Sequence, residues 1–174
     1  MKWPTKHQLR FLEQMAPVRR DNELVIILTG HLLVEELLVV AVEKHIARPE
    51  MLNRRSFYDY LCLARALMRP ELSDELLDEA DALNRLRNQL AHNLDEKKYQ
   101  ERRAAFLAYT REKPDPVLLA EFSEVWIAIM SLHSRLTFAV EFDPATLRLP
   151  TLLTMEPASQ LSASDKPNSN PSAT

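Results

Sequence analysis

The stretch from Leu24 to Val42, with the sequence LVIILTGHLLVEELLVVAV, decides the fold class of this chain. At about 100° per residue, a helix made from it carries Leu, Val or Ile on almost every side. One neighbouring surface cannot cover such a helix, so the pattern predicts a position at the centre of a bundle or in a subunit interface. The stretch also contains Gly30, the only glycine among the 174 residues.

The scarcity of glycine excludes several kinds of site and fold. Glycine usually makes up roughly 7% of residues, and tight β-hairpins favour Asn-Gly or Asp-Gly turns. Rossmann and Walker A loops, which cradle phosphate, need several glycines. We therefore expect an all-α chain without a glycine-rich nucleotide loop. Because a glycine inside a helix costs about 1 kcal/mol relative to Ala, Gly30 indicates close helix packing at the bundle centre or at a dimer contact.

Eleven prolines divide the chain into segments of helical length. These segments predict an up-and-down helical bundle of five or six helices, and two strongly apolar helices among them favour a homodimer. We expect a short N-terminal helix within residues 1–18, the bundle over 19–154 and a disordered tail rich in Ser, Pro and Asn over 155–174. The predicted helices span about 5–15, 21–46, 56–68, 73–92, 95–113 and 116–142, with Asp21 or Asn22 as the N-cap of the second and Ser56 as that of the third.

Charge and cysteine content narrow the cellular setting. A formal charge of −3 provides no global basic field to attract nucleic acid. The single cysteine, Cys62, cannot form an internal disulfide, which suits a reducing cytosol. Because Glu35, Glu36 and other polar residues interrupt the run from Leu24 to Val42, we expect no membrane span and a soluble cytoplasmic protein. One cysteine and scattered histidines predict neither a metal site nor a cofactor.

A group of polar residues closes the fourth predicted helix, in the run Leu86-Arg87-Asn88-Gln89-Leu90-Ala91-His92-Asn93. Arg87 and His92 are about 140° apart around the helix and about 7.5 Å apart along it. A long Arg side chain and a His near the helix end can nevertheless converge on one ligand. Asn93 is a candidate C-cap, which places His92 in the last turn.

The run Arg87-Asn88 followed by His92, near a helix end in an all-α chain, resembles the HEPN superfamily. The signature of that superfamily is an Arg, a polar residue, a short spacer and a His, and the resemblance covers about residues 20–143. It implies a metal-independent endoribonuclease, often a toxin of a toxin–antitoxin system or an antiphage effector. It further implies a dimer with two motifs facing each other, in which Arg87, Asn88 and His92 are catalytic and act on an RNA substrate.

The residue types of the motif suit RNA cleavage without a metal. A His serves as acid or base near neutral pH for the ribose 2′-hydroxyl or the leaving oxygen. An Arg offers a planar fork of N–H groups to the charge that builds on the phosphate. Asn88 then either orients His92 or bonds a phosphate oxygen. The expected product carries a 2′,3′-cyclic phosphate.

Two departures keep another function open. In one HEPN subfamily a Tyr two residues after the His accepts adenylyl groups from a partner nucleotidyltransferase, whereas this chain has Leu94 there. Other HEPN proteins keep the bundle without catalysis, and the stretch from His31 to Leu38 is similar to mannitol operon repressor proteins. The alternative is therefore a non-catalytic HEPN-like regulator or a partner subunit, which the acidic pI favours. A third interpretation is a structural helical dimer in which Arg87 and His92 only complement the helix dipole or bond each other.

Auxiliary residues are predicted on two further segments. His31 and Glu35 are four residues apart, so Glu35 either orients a catalytic group or forms a local pair with His31. A basic group directly after the motif is a candidate for guiding the RNA backbone, although interleaved acids favour a solvated charged face for it. The members of this basic group are Lys97, Lys98, Arg102 and Arg103.

Overall fold

The computed structural model describes residues 5–18, 22–52, 55–68, 72–92, 95–110 and 116–141, and of His92 only its place in a helix. Within these ranges the chain forms seven α-helices, one short 3₁₀ helix and no strand. The expectation of an all-α chain is confirmed. The α-helices are α1 (Lys6–Val18), α2 (Glu23–Lys44), α3 (Phe57–Leu67), α4 (Asp74–His92), α5 (Glu96–Leu107), α6 (Pro116–Glu121) and α7 (Glu124–Glu141), and the 3₁₀ helix is Pro49–Met51.

Side-chain caps mark where several of the helices begin. The side chain of Asn22 accepts a hydrogen bond from the amide of Leu24 at 3.0 Å and starts α2. Ser56 starts α3 through a reciprocal pair of bonds with Asp59, the capping box. Asp95 starts α5 by accepting from the amides of Lys97 and Lys98, the second and third residues of that helix. The predicted caps Asn22 and Ser56 are confirmed.

The prolines and the last predicted helix differ from expectation. Pro17 lies inside α1, in its last turn, where it lacks the N–H group that would bond the carbonyl four residues earlier, yet the helix extends past its predicted end at residue 15. The single helix predicted over 116–142 is two helices, because the Ser123 side chain accepts from the amide of Trp126 at 3.1 Å and starts α7. The predicted cap Asn93 and the predicted tail over 155–174 lie outside the described residues.

Helix α2 lies at the centre of the packing, as its apolar surface predicts. It contacts α1, α3, α4 and α7, and ten of its residues are buried. At Gly30 a Cβ atom would come within 2.6 Å of Cγ2 of Ile129 on α7. The close helix contact expected at Gly30 is therefore confirmed, and it joins α2 to α7.

The same helix passes a simple test for membrane spans. Among the described residues, α2 is the one helix long and apolar enough to cross a bilayer by length and composition. Glu35 and Glu36 interrupt the apolar run without removing α2 from that class by length and composition. More than half of its most apolar window is buried against other helices, which is the property of a core helix. A single such helix is weak evidence for a membrane.

Helix α1 shares the core with the rest of the chain. Phe11 and Met15 are buried, and the indole N–H of Trp126 donates to the carbonyl of Met15 at 3.1 Å. The ring of Phe11 also lies 4.3 Å from that of His133 on α7. The N-terminal helix is thus packed on α7 rather than standing apart.

Within the part of the chain that the structure describes, one side of α2 carries exposed apolar side chains. Leu24, Leu28 and Leu32 follow each other at four-residue spacing and are 40%, 36% and 60% exposed. We call these three side chains the leucine face. On the helix it lies next to His31 and Glu35, so any surface that covers the leucine face also approaches these two residues.

Candidate functional site

The Arg and Asn of the motif contact each other on the last turns of α4. Arg87 is half-buried and Asn88 is exposed. One terminal N–H of the Arg87 guanidinium donates to Oδ1 of Asn88 at 3.1 Å. Among the described residues Arg87 forms no ion pair, so its remaining N–H groups can serve a ligand.

A second asparagine connects this pair to α2. Oδ1 of Asn84 accepts from the side-chain amide of Asn88 at 3.4 Å and lies 3.2 Å from Nε2 of His31. The four side chains His31, Asn84, Asn88 and Arg87 therefore form one continuous hydrogen-bonded chain, which we call the polar network. It brings the predicted auxiliary residue His31 together with two of the three predicted catalytic residues.

His31 is neutral in this setting. It is 5% exposed, and its ring stacks on that of Phe57 with 4.5 Å between centroids. Burial lowers the pKa of His31 to about 4; the bond to Asn84 opposes this shift and the positive charge of Arg87 adds to it. At neutral pH the imidazole therefore carries one proton and no charge.

Glu35 lies at the edge of the polar network. Its Oε2 is 3.9 Å from Nδ1 of His31, which is beyond hydrogen-bond distance, and its side chain is 31% exposed. Since His31 is neutral, the two side chains do not form an ion pair at neutral pH. Glu35 contributes a negative charge beside the site and leaves the orientation of His31 to Asn84 and Phe57.

His92 is the last residue of α4 and follows Asn88 by four residues. Its side chain, together with Asn93 and Leu94, lies outside the described residues. Two of the other four histidines are unsuited to acid–base chemistry at neutral pH. His31 is one, and His133 is the other, because burial and the nearby His7 lower its pKa to about 4.

The predicted RNA-guiding residues on α5 divide into two groups. Lys97 and Arg102 are exposed and form no ion pair within the described residues. Lys98 lies 3.8 Å from Asp95. Arg103 is engaged elsewhere, because it bonds Glu23 at 2.9 Å and Glu124 at 3.2 Å.

Arg103 belongs to a cluster that joins three helices. Tyr99 and Arg103 of α5 both donate to the carboxylate of Glu23 at the start of α2, and Arg103 also reaches Glu124 at the start of α7. Burial, the bond to Glu23 and its charge raise the pKa of Tyr99. The cluster holds α5 against the two central helices, so Arg103 is a packing residue in this arrangement.

A groove of about 500 Å³ lies between α4 and α5. Most of its charged lining residues already have partners, because Arg85 bonds Asp81 at 2.6 Å and Arg65 of α3, outside the groove, bonds Asp78 at 2.5 Å. Arg85 and Arg87 are two residues apart on α4, so they project to roughly opposite sides of the helix. The groove is therefore separate from the polar network.

Asn84 and Phe57 are the members of the site that sequence reasoning missed. Asn84, Asn88 and His92 recur every four residues on a helix whose other stripe is apolar, and this spacing is a signal for a shared polar face. The sequence around Phe57 gives no comparable signal, because Phe57 has the pattern of an ordinary core residue of α3. Its contact with His31 depends on how α3 packs on α2.

Metal ligation and known relatives add no further constraint. Within the described ranges, no group of three or more His, Cys, Asp or Glu side chains is placed to hold a metal ion. No protein-family model matches this chain, and neither curated proteins nor solved structures include a match.

Proposed function

We propose that this protein is a metal-independent endoribonuclease of the HEPN type, with Arg87, Asn88 and His92 as its catalytic residues. The observation that carries the proposal is the polar network, in which Arg87 and Asn88 of α4 meet His31 of α2. A helix-terminal Arg that only complemented a helix dipole would need no such connection to a neighbouring helix. The network instead presents a cation, held by an amide, with N–H groups left for an anion.

The proposed reaction assigns one role to each residue. The 2′-oxygen of the ribose forms a bond to phosphorus as the bond to the 5′-oxygen breaks. His92 either takes the proton of the 2′-hydroxyl while water protonates the leaving 5′-oxygen, or it protonates the 5′-oxygen while water takes the proton of the 2′-hydroxyl. Arg87 binds the non-bridging oxygens as their negative charge grows, and Asn88 holds Arg87. The products are a 2′,3′-cyclic phosphate and a 5′-hydroxyl.

His92 is preferred as the proton carrier on chemical grounds. His31 and His133 are buried and neutral, with pKa values of about 4. Of the remaining histidines, His7 lies on α1 and His45 bonds the carbonyl of Ala41 at the far end of α2. His92 alone belongs to the helix that carries Arg87 and Asn88.

A homodimer of up-and-down bundles is part of the proposal. The leucine face of α2 is exposed and adjoins His31 and Glu35. A second copy of the chain covering this apolar face would bring two polar networks towards each other. We expect such a dimer to act in the cytoplasm as the toxin of a toxin–antitoxin system or as an antiphage effector, restrained by an antitoxin or another partner protein.

The decisive experiment is RNA cleavage in EDTA by four purified proteins. The wild-type protein should cleave tRNA, mRNA or rRNA, and the variants His92→Ala and Arg87→Ala should lose at least about a hundredfold in rate. Arg85→Ala is the matched control, because Arg85 lies on the same helix but projects away from the polar network. If the wild type cleaves none of the three RNAs, or if His92→Ala cleaves as fast, the proposal is wrong.

A non-catalytic regulator or partner subunit is the second candidate, and the charge distribution favours it. The net charge is −3, and Arg103 and Lys98 lie against carboxylates instead of forming a basic stripe. Expression in a bacterial host separates the two candidates. Growth arrest that requires His92 supports the nuclease, whereas normal growth with the wild-type and His92→Ala proteins supports the regulator.

A further inference from the structure

The hydrogen bonds around His31 define which of its nitrogens carries the proton. Oδ1 of Asn84 can only accept, and it lies 3.2 Å from Nε2 of His31. Nε2 is therefore the protonated nitrogen and donates to Asn84. Because the ring is neutral, Nδ1 carries a lone pair and makes no bond to Glu35. The stack on Phe57 fixes the plane of the ring, so the direction of the donor is fixed as well.

Asn84 in turn orients the side-chain amide of Asn88 in the motif. Its Oδ1 receives a second bond from the amide N–H of Asn88. Once the nitrogen side of the Asn88 amide faces Asn84, its oxygen side faces away, where it accepts from Arg87 at 3.1 Å. Reversing any amide in this series would place donor against donor, so the order of bonds runs in one direction only.

We infer that His31 and Asn84 are positioning residues, which hold the guanidinium of Arg87 in place through Asn88. The inference rests on the proposed function, since the position of Arg87 matters for rate only if it binds the reacting phosphate. Arg87 is half-buried and forms no ion pair within the described ranges, so the amide of Asn88 is its one fixed anchor there. Misplacement of a group that stabilises a transition state by about 1 Å can cost up to a hundredfold in rate.

Two substitutions of His31 separate positioning from packing. His31→Gln keeps an N–H donor at the level of Nε2 but loses the aromatic stack. His31→Phe keeps the ring against Phe57 and loses the donor. If His31 serves the core only, His31→Phe is the milder change, because it replaces a buried polar ring by an apolar one. If His31 positions Arg87, His31→Gln is the milder change.

The first readout needs no RNA. In ¹H–¹⁵N spectra, the side-chain amide of Asn88 and the Nε–H of Arg87 are assigned by comparison with Asn88→Ala and Arg87→Lys. We expect the Asn88 amide protons to exchange with water about tenfold faster in His31→Phe and Asn84→Ala, as for one lost hydrogen bond, and to remain near the wild-type rate in His31→Gln. Identical spectra for these two groups in wild type, His31→Phe and Asn84→Ala would overturn the inference.

The second readout is kinetic and uses the RNA cleavage assay. We expect kcat to fall about tenfold in His31→Phe and in Asn84→Ala with little change in KM, and to recover most of its value in His31→Gln. Equal kcat values for wild type and Asn84→Ala would also overturn the inference. If the wild type cleaves no RNA, the proposed function fails on its own, and the spectra still decide whether His31 and Asn84 hold Arg87.

Discussion

Gly30 of α2 and Ile129 of α7 cross so closely that a Cβ on Gly30 would lie 2.6 Å from Cγ2 and 2.8 Å from Cδ1 of Ile129. Gly30 is also the neighbour in sequence of His31. This close helix crossing is therefore one residue from the first member of the polar network. Packing of α2 on α7 sets the position from which His31 reaches α4.

The first prediction concerns this crossing. Gly30→Ala should lower the free energy of unfolding by about 1–3 kcal/mol, because the added methyl group overpacks the contact with Ile129. Helix propensity alone predicts the opposite, a gain of about 1 kcal/mol. Urea unfolding followed by circular dichroism measures the difference.

A double variant supplies the control for Gly30→Ala. If the clash is with Ile129, then Gly30→Ala combined with Ile129→Ala should be less destabilised than the sum of the two single variants by at least about 1 kcal/mol. Strict additivity, or a Gly30→Ala protein more stable than the wild type, would contradict the close crossing.

Acid should weaken the fold, because His31 and His133 are buried in the neutral form. Burial lowers the pKa of each from 6.5 to about 4, so between these values the unfolded chain binds more protons than the folded chain. The free energy of unfolding is therefore highest, as far as these two groups are concerned, above pH 6.5, and it decreases as the pH falls towards 4. A shift from 6.5 to about 4 corresponds, at about 1.4 kcal/mol per pKa unit, to a loss of up to about 3.5 kcal/mol for each histidine.

Urea unfolding at several values between about pH 7 and pH 4.5 tests this loss. His133→Leu should flatten the pH dependence, since one of the two titrating groups is gone. Leu12→Gln, at an exposed position without a titrating group, should keep the wild-type dependence. A wild-type protein equally stable at both ends of this range would show that His31 and His133 are not held neutral by burial.

Substitution of the adjacent residues Arg102 and Arg103 on α5 should change the free energy of unfolding by different amounts. Arg103→Ala removes the bonds to Glu23 and Glu124 and should destabilise the fold by about 1–2 kcal/mol. Arg102→Ala removes an exposed cation without an ion pair in the described ranges and should change stability by less than about 0.5 kcal/mol.

Binding of an RNA oligonucleotide completes this comparison. If Arg102 contacts RNA phosphate, Arg102→Ala should weaken binding and reduce the slope of affinity against salt concentration by about one ion. Arg103→Ala, measured where the protein remains folded, should leave that slope unchanged. The reverse assignment of slopes would place the RNA path on the other side of α5.

The leucine face should control assembly. Leu32→Glu puts a charge on its most exposed member and should raise the dimer dissociation constant by at least about a hundredfold. Leu12→Glu on α1 is the matched control, because Leu12 is also exposed, at 48%, but lies outside the leucine face. Sedimentation velocity that finds the same mass for wild type and Leu32→Glu would contradict a dimer through this face.

Local interactions explain the features that sequence reasoning predicted correctly. Asn22 and Ser56 cap helices through amides two or three residues away, so composition and spacing suffice to find them. The apolar residues on all sides of α2 likewise require several neighbouring helices, and this holds whichever segments supply them. The close helix contact at Gly30 could be predicted because a glycine inside a helix is unfavourable unless a neighbouring helix needs the space.

Contacts between distant segments explain what could not be predicted. In the sequence Arg103 is one cation in a charged run. Its partners Glu23 and Glu124 lie on other helices and are brought to it only by packing. In the sequence Asn84 has the pattern of a surface residue, because its partner His31 lies on another helix, 53 residues away. The site motif was visible because its members share one helix, whereas His31 and Phe57, which support it, lie on two other helices.

The crossing of Gly30 and Ile129 also has a consequence for synthesis on the ribosome. Helix α7, which covers one side of α2, is translated roughly a hundred residues after α2 itself, and such long-range contacts form late in folding. In a nascent chain the apolar side of α2 that packs on α7 thus stays uncovered for most of elongation, a state in which chains aggregate readily. We expect the emerging polypeptide to depend on a chaperone at the tunnel exit until α7 has been made.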